Sequence, residues 1–199
     1  MIKKVLAASL LVLLSSHSAV ADTWYVNVDT STLSGQSGWL DFQFNPADAF
    51  APAASATIMS FSSTGLMQPM PLVSGDVSGS LDGTLTLGNG QDFNGWLQGF
   101  TFGTVISFRV DINVPTPNAS GSGSAFSLSL YDSSYNSLLA DPNWGASLVI
   151  NASDSGMMNV LAQAPSVSLS ASPVPEPDMA ASLLAGLGLV GFAVRRRAA

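Results

Sequence analysis

The stretch Ile106-Ser-Phe-Arg-Val-Asp-Ile-Asn-Val114 decides the fold class, because every even-numbered residue in it is apolar and every odd-numbered residue is polar. Successive side chains of a β-strand point to opposite faces of the sheet. The alternation therefore predicts a strand with one buried face and one face in water. Strands of this kind are typical of antiparallel sheets that pack one face on a core.

The same alternation recurs in both directions from this strand. Further predicted strands are 24–29, 39–45, 57–61, 84–87, 126–130, 148–151, 157–161 and 167–169. Glycine-rich stretches at 35–38 and 88–90 supply turns between them. About nine strands with no amphipathic helix between them predict an all-β fold, an antiparallel β-sandwich of the jelly-roll kind. We expect one exported domain over residues 22–171.

The charge of this domain restricts its partners. All thirteen acidic residues lie between 22 and 178, where Arg109 is the only basic residue. Such a surface repels phosphate backbones, which argues against nucleic-acid binding. We expect Arg109 to pair with Asp111 or with a carboxylate across the strand. The alternative role for Arg109 is the capture of an acidic sugar.

The residue types in the domain exclude most catalytic chemistry. The only histidine is His17, both lysines lie in the first four residues, and there is no cysteine. Serine–histidine triads, cysteine nucleophiles, Schiff-base lysines and ordinary zinc sites are thereby excluded from residues 22–171. A glycosidase acting through two paired aspartates is a distant alternative. We expect a protein that is not an enzyme and has no cofactor.

The first 21 residues have the features of a secretory signal peptide. Lys3 and Lys4 precede an apolar stretch over 5–14, and Ala19-Val-Ala21 is a small-x-small cleavage site. We expect a helical signal peptide over 1–21 that signal peptidase removes, so that the mature chain begins near Asp22.

The last residues predict a transmembrane helix. The apolar run over 179–194 has 16 residues, and a helix of that length spans about 24 Å, slightly less than the ~30 Å hydrocarbon core. Arg195, Arg196 and Arg197 follow the run and are expected to stay in the cytoplasm. The precursor would then be anchored in the inner membrane with its domain in the periplasm.

Residues 172–199 resemble the PEP-CTERM sorting signal of Gram-negative bacteria. The resemblance rests on Val174-Pro175-Glu176-Pro177, the Gly-rich apolar run after it, and the terminal arginines. It implies processing by exosortase, a membrane peptidase, and release to the cell surface or the extracellular matrix. Proteins of this kind accompany exopolysaccharide production and biofilm. The alternative is a plain membrane anchor with a stiff proline-rich stalk.

The exported domain is similar, more loosely, to an uncharacterised group of PEP-CTERM proteins. The similar stretches are Asp29-Thr-Ser-Thr-Leu-Ser-Gly35, which is followed by the strand at 38–44, and the stretches at 75–81 and 98–103. That group has no assigned activity. The resemblance therefore bears on fold and processing and leaves the chemistry open.

Two binding functions compete with a structural or adhesive role in biofilm. The first is that of a carbohydrate-binding module, in which Trp39, Tyr131 and Trp144 present their rings outward, because exposed rings form platforms for sugar faces. Trp39 would then share the outer face of its strand with Asp41 and Gln43.

A weaker hypothesis is a calcium site. Asn89, Asp92 and Asn94 offer side-chain oxygens in a glycine-containing loop, and calcium prefers oxygen ligands. The competing interpretation of this loop is a plain hairpin turn.

Overall fold

The computed structural model describes residues 20–171. Of the predicted signal peptide, only Val20 and Ala21 lie in this range, where they begin a strand. The transmembrane helix predicted for 179–194, the sorting motif at 174–177 and the arginines at 195–197 lie outside the described residues. Between residues 20 and 171, no helix is both long and apolar enough to span a bilayer.

Residues 20–171 form strands joined by turns, with one short 3-10 helix at Ser31–Leu33. The strands are β1 (Val20–Asp29), β2 (Ser37–Pro46), β3 (Ser55–Ser63), β4 (Leu66–Met67), β5 (Leu72–Ser74), β6 (Val77–Gly79), β7 (Thr84–Gly88), β8 (Gly95–Thr101), β9 (Val105–Val114), β10 (Ser124–Asp132), β11 (Ser137–Leu138), β12 (Leu148–Ala152), β13 (Met158–Gln163) and β14 (Val167–Ala171).

The strands form two sheets. Sheet A has the order β14-β1-β9-β3-β7-β6, and sheet B has the order β13-β12-β10-β2-β8-β4. In sheet B, β11 also pairs with β10 and β5 with β8. Every pairing is antiparallel. The predicted all-β, antiparallel class is confirmed.

One hydrophobic core lies between the two sheets. Phe42 of sheet B packs edge-on against Phe108 of sheet A, with ring centroids 5.2 Å apart, and is stacked beside Phe126 at 6.2 Å. All three rings are buried, as are the other even-numbered residues of β9. Face-to-face packing of this kind agrees with the predicted β-sandwich.

Both ends of the described chain lie at the same end of sheet A. Trp24, the fifth residue of β1, is directly opposite Ala171, the last residue of β14, so β1 extends four residues beyond β14 at this end. β1 then runs to the other end of the sandwich, which we call the distal end, and the chain crosses there to β2. The β10–β11 hairpin also lies at the distal end, because Asp132 is opposite Gly38 near the start of β2.

Candidate functional site

Three aromatic side chains meet on the outer face of sheet B at the distal end. Trp39 on β2 is directly opposite Tyr131 on β10. The ring of Tyr135, in the β10–β11 hairpin, stacks on Trp39 with centroids 5.5 Å apart and planes 11° from parallel. Tyr131 and Tyr135 are 6.5 Å apart. We call Trp39, Tyr131 and Tyr135 the aromatic cluster.

The hairpin that carries Tyr135 is organised by a single carboxylate. Asp132 accepts hydrogen bonds from the backbone N–H groups of Ser134 and Asn136 and from the Asn136 amide. The bonds from Asn136, followed by the one from Ser134, lower the pKa of Asp132. Tyr135 has a φ of 64°, a left-handed conformation that a non-glycine residue adopts only where its surroundings fix it. The exposed ring is therefore held over Trp39.

Two glycines, Gly38 and Gly99, border the aromatic cluster. A Cβ at Gly38 would overlap the carbonyl oxygen of Tyr131, so this position admits only glycine without a shift of β2 from β10. On the side of β2 away from β10, Trp39 is opposite Gly99 of β8. The side chain of Gln68 covers Gly99 and would meet any Cβ there.

A row of polar side chains continues from Trp39 along the same face of β2. The Asn45 amide donates to Gln43 Oε1 at 3.0 Å, and the Gln43 amide donates to Asp41 Oδ2 at 2.6 Å. We call Asp41, Gln43 and Asn45 the polar ladder. It begins two residues from Trp39, so an aromatic surface and hydrogen-bonding groups lie side by side on one face.

Asp41 is the most deeply buried acid of this face, with 7% of its surface exposed. It lies between Leu97 on β8 and Ser129 on β10. Burial raises the pKa of its carboxyl to about 6, although the hydrogen bond from Gln43 acts in the opposite direction. The folded protein therefore takes up a proton at Asp41 at a higher pH than the unfolded chain does.

This pKa predicts an effect of pH on stability. Between about pH 4 and pH 6 the folded state binds more protons at Asp41 than the unfolded state, so this residue lowers the free energy of unfolding as pH rises. Asp41→Asn should remove that loss, giving a variant about 2–3 kcal/mol more stable than wild type at pH 7 and equal to it near pH 4. Urea denaturation at several pH values measures the difference.

The matched control is Asp82→Asn in an exposed turn, which removes one negative charge without removing a buried carboxyl. A constant difference between Asp41→Asn and wild type from pH 4 to pH 7 would contradict the assignment.

Trp144 makes no ring contact with the aromatic cluster in the described part of the chain. It belongs to the loop between β11 and β12, where its backbone N–H bonds to Asp141. Its side chain is 52% exposed. Within the range 20–171, no aromatic pair involves this ring. The structure thus brings Trp39 and Tyr131 together and does not add Trp144 to them.

The side chains proposed for calcium have structural hydrogen bonds. Asn89 Oδ1 accepts from the N–H of Ala54, and Asn94 Oδ1 accepts from the N–H of Asp76. Asn94 is fully buried and also donates to the carbonyl of Phe44. Asp92 shares no hydrogen bond with either. In the described part of the chain, no three His, Cys, Asp or Glu side chains form a metal-binding group.

Tyr135 is the residue of this site that the sequence analysis missed. It lies outside every alternating segment, in a hairpin of serine and asparagine residues. Its contact with Trp39 joins two residues 96 positions apart, and no local pattern reports such a contact. The only local sign is the turn chemistry of Asp132 and Asn136. It predicts a tight hairpin but does not indicate which residue the Tyr135 ring contacts.

Comparison with known proteins identifies one feature of the chain. Residues 173–197 match the PEP-CTERM protein-sorting motif. No curated protein and no solved structure matches the chain.

Proposed function

We propose that this chain, which carries a PEP-CTERM sorting signal and is thereby marked for export and exosortase processing, supplies a structural or adhesive component of the extracellular matrix. The sorting motif at residues 173–197 is the observation that carries the proposal. The precursor is anchored by its C-terminal apolar run with the sandwich in the periplasm. Exosortase then cuts the tail, and the sandwich reaches the cell surface or the polysaccharide around it.

The residues of the motif suit recognition by a peptidase. Proline fixes φ and lacks a backbone N–H, so prolines at 173, 175 and 177 disfavour helix and strand. An extended peptide with Glu176 at its centre can enter an enzyme cleft. The arginines at 195–197 keep the C-terminal end of the tail in the cytoplasm.

We expect the released protein to lack Arg195–Arg197. Full-length protein expressed in a bacterium with an active exosortase should give an intact mass, in the culture medium, that ends before these arginines. Glu176→Ala should keep the uncut protein in the membrane fraction, since it changes the centre of the motif. Asp178→Ala removes a neighbouring carboxylate outside Pro-Glu-Pro and is the control.

A full-length C-terminus in the medium would overturn the processing proposal. So would equal release of Glu176→Ala and Asp178→Ala, because release would then be independent of the motif.

The strand order supports the jelly-roll subtype for the sandwich. In a jelly roll the first strand lies beside the last, and successive strands alternate between the two sheets. Sheet A contains the run β1-β9-β3-β7, and sheet B contains β2-β8-β4, with β5 also on β8. β10, β12 and β13 then extend sheet B, and β14 returns to β1. A fold of this kind carries many functions, so this order alone assigns none.

The second candidate function is saccharide binding, which would attach the sandwich to polysaccharide directly. The stack of Tyr135 on Trp39 beside the polar ladder favours it. Aromatic faces pack against the C–H faces of sugars, while amide and carboxylate groups bond their hydroxyls. A paired-aspartate glycosidase has no comparable support, since Asp41 is hydrogen-bonded to Gln43 and has no acidic neighbour on the ladder.

A further inference from the structure

A second candidate site lies on the opposite face of the sandwich. The outer face of sheet A has a groove of about 410 Å³. The strand register places its residues in two rows across β14, β1 and β9. One row is Ser168, Asn27 and Ser107, and the next is Ser170, Tyr25 and Arg109. We call these six residues the sheet A groove.

Most polar groups of the sheet A groove are available to a ligand. The side-chain hydrogen bonds in this region belong to Arg109 and Gln163. Within residues 20–171, the three serine hydroxyls, the Asn27 amide and the Tyr25 hydroxyl have no such bond. The Tyr25 side chain is 51% exposed. The groove therefore offers an aromatic ring surrounded by unused donors and acceptors, which is a surface suited to a hydroxyl-rich ring.

The guanidinium in the groove is fixed in position. Arg109 Nη2 donates to Asp111 Oδ2 at 3.2 Å and to the sulfur of Met59 at 3.1 Å. Asp111 neutralises the charge of Arg109, and the domain around it is strongly acidic, with eleven aspartates against this one arginine over residues 22–171. The local charge is near zero and the surrounding field repels anions, so the groove favours a neutral ligand.

A distortion of β3 borders the same groove. The register of β3 against β9 shifts between Met59 and Ser62. Ser60, within this bulge, lines the groove and has a φ of 53°. Bulges re-aim side chains and occur next to binding sites, and a strained non-glycine residue is kept only where its surroundings hold it. The bulge adds a fourth free hydroxyl to the groove.

We propose that the sheet A groove binds a neutral saccharide segment, with a sugar face on the Tyr25 ring and hydroxyl contacts to the serines and Asn27. The groove and the aromatic cluster lie on opposite faces of the sandwich. If the aromatic cluster also binds saccharide, as in the proposed function, one molecule joins two polysaccharide chains. Two weak sites then give strong attachment through multivalency.

The test measures saccharide binding to the mature protein by isothermal titration calorimetry and by NMR of the labelled chain. The probes are cellohexaose, laminarihexaose and maltohexaose, with hexagalacturonate as the acidic comparison. Tyr25→Ala should lower the affinity of the groove for its neutral probe about tenfold or more. Thr23→Ala changes the same face of β1 outside the groove and should leave that affinity unchanged. Trp39→Ala reports on the other face separately.

The outcomes separate the two sites. Saccharide addition should change the NMR chemical shifts of residues in the groove. Changes that vanish in Tyr25→Ala and persist in Trp39→Ala would support the inference, whether or not the aromatic cluster also binds saccharide. Binding that only Trp39→Ala abolishes would overturn the groove and leave the proposed function standing. Binding of hexagalacturonate alone, or of no probe, would overturn the groove as a neutral-saccharide site.

Discussion

Replacing Phe42 by alanine should lower the free energy of unfolding by about 3–5 kcal/mol. Phe42 is fully buried at the centre of the core. Its ring contacts Phe61 and Phe108 from sheet A and Phe126 from its own sheet. The substitution leaves a cavity between the sheets, because the three surrounding rings belong to three different strands and cannot all move in to fill it.

This loss is large for a domain without disulfides, since typical domains are stable by only 5–15 kcal/mol. Urea denaturation followed by tryptophan fluorescence measures the change. Phe50→Ala is the matched control, because Phe50 is 75% exposed and its removal should change the stability by less than about 0.5 kcal/mol. Equal effects of the two substitutions would show that Phe42 does not join the sheets as described.

Trp39→Ala should reduce saccharide binding at the aromatic cluster tenfold or more. The substitution removes the indole on which Tyr135 stacks, so both the platform and the position of Tyr135 are lost. A tenfold loss corresponds to about 1.4 kcal/mol, and buried aromatic anchors in binding sites commonly contribute more than that. Titration with the same neutral hexasaccharides measures the change.

Trp144→Ala is the matched control for Trp39→Ala. It removes an equally large indole, 52% exposed, from a loop outside the aromatic cluster. It should leave the affinity within about twofold of wild type. Loss of binding in Trp144→Ala but not in Trp39→Ala would reverse the assignment, and thermal unfolding of both variants would separate loss of binding from loss of fold.

The sequence predicted the fold where alternation was clean. Even-numbered residues of β9 are buried throughout, and Leu40, Phe42 and Phe44 of β2 have no exposed surface. Period-two alternation succeeds here because each strand lies between core and water. The same parity placed Trp39 on the outer face with Asp41 and Gln43, and Tyr131 on the outer face of its own strand. Two of the three residues of the aromatic cluster therefore followed from the sequence.

The sequence failed where a strand breaks that alternation. β8 was not predicted as a strand, although it pairs with β2. Its outward positions include Gly95 and Gly99, and the polar side chain of Gln98 is buried. The reason is tertiary: Gln68 covers Gly99, and the amide of Gln98 donates to the carbonyl of Gln68. Those partners come from a segment about 30 residues away, which no local pattern reveals.

The pairing of Trp24 with Ala171 has a geometric consequence for the anchored precursor that we propose. Paired residues on adjacent antiparallel strands have Cα atoms about 5 Å apart, so the folded domain is tethered at one corner whichever chain end holds it. The aromatic cluster lies at the distal end, and β1 spans about 17 Å from Trp24 to Asp29 at that end. In the proposed precursor, this arrangement places the aromatic cluster at the end of the sandwich opposite the point where the tail attaches.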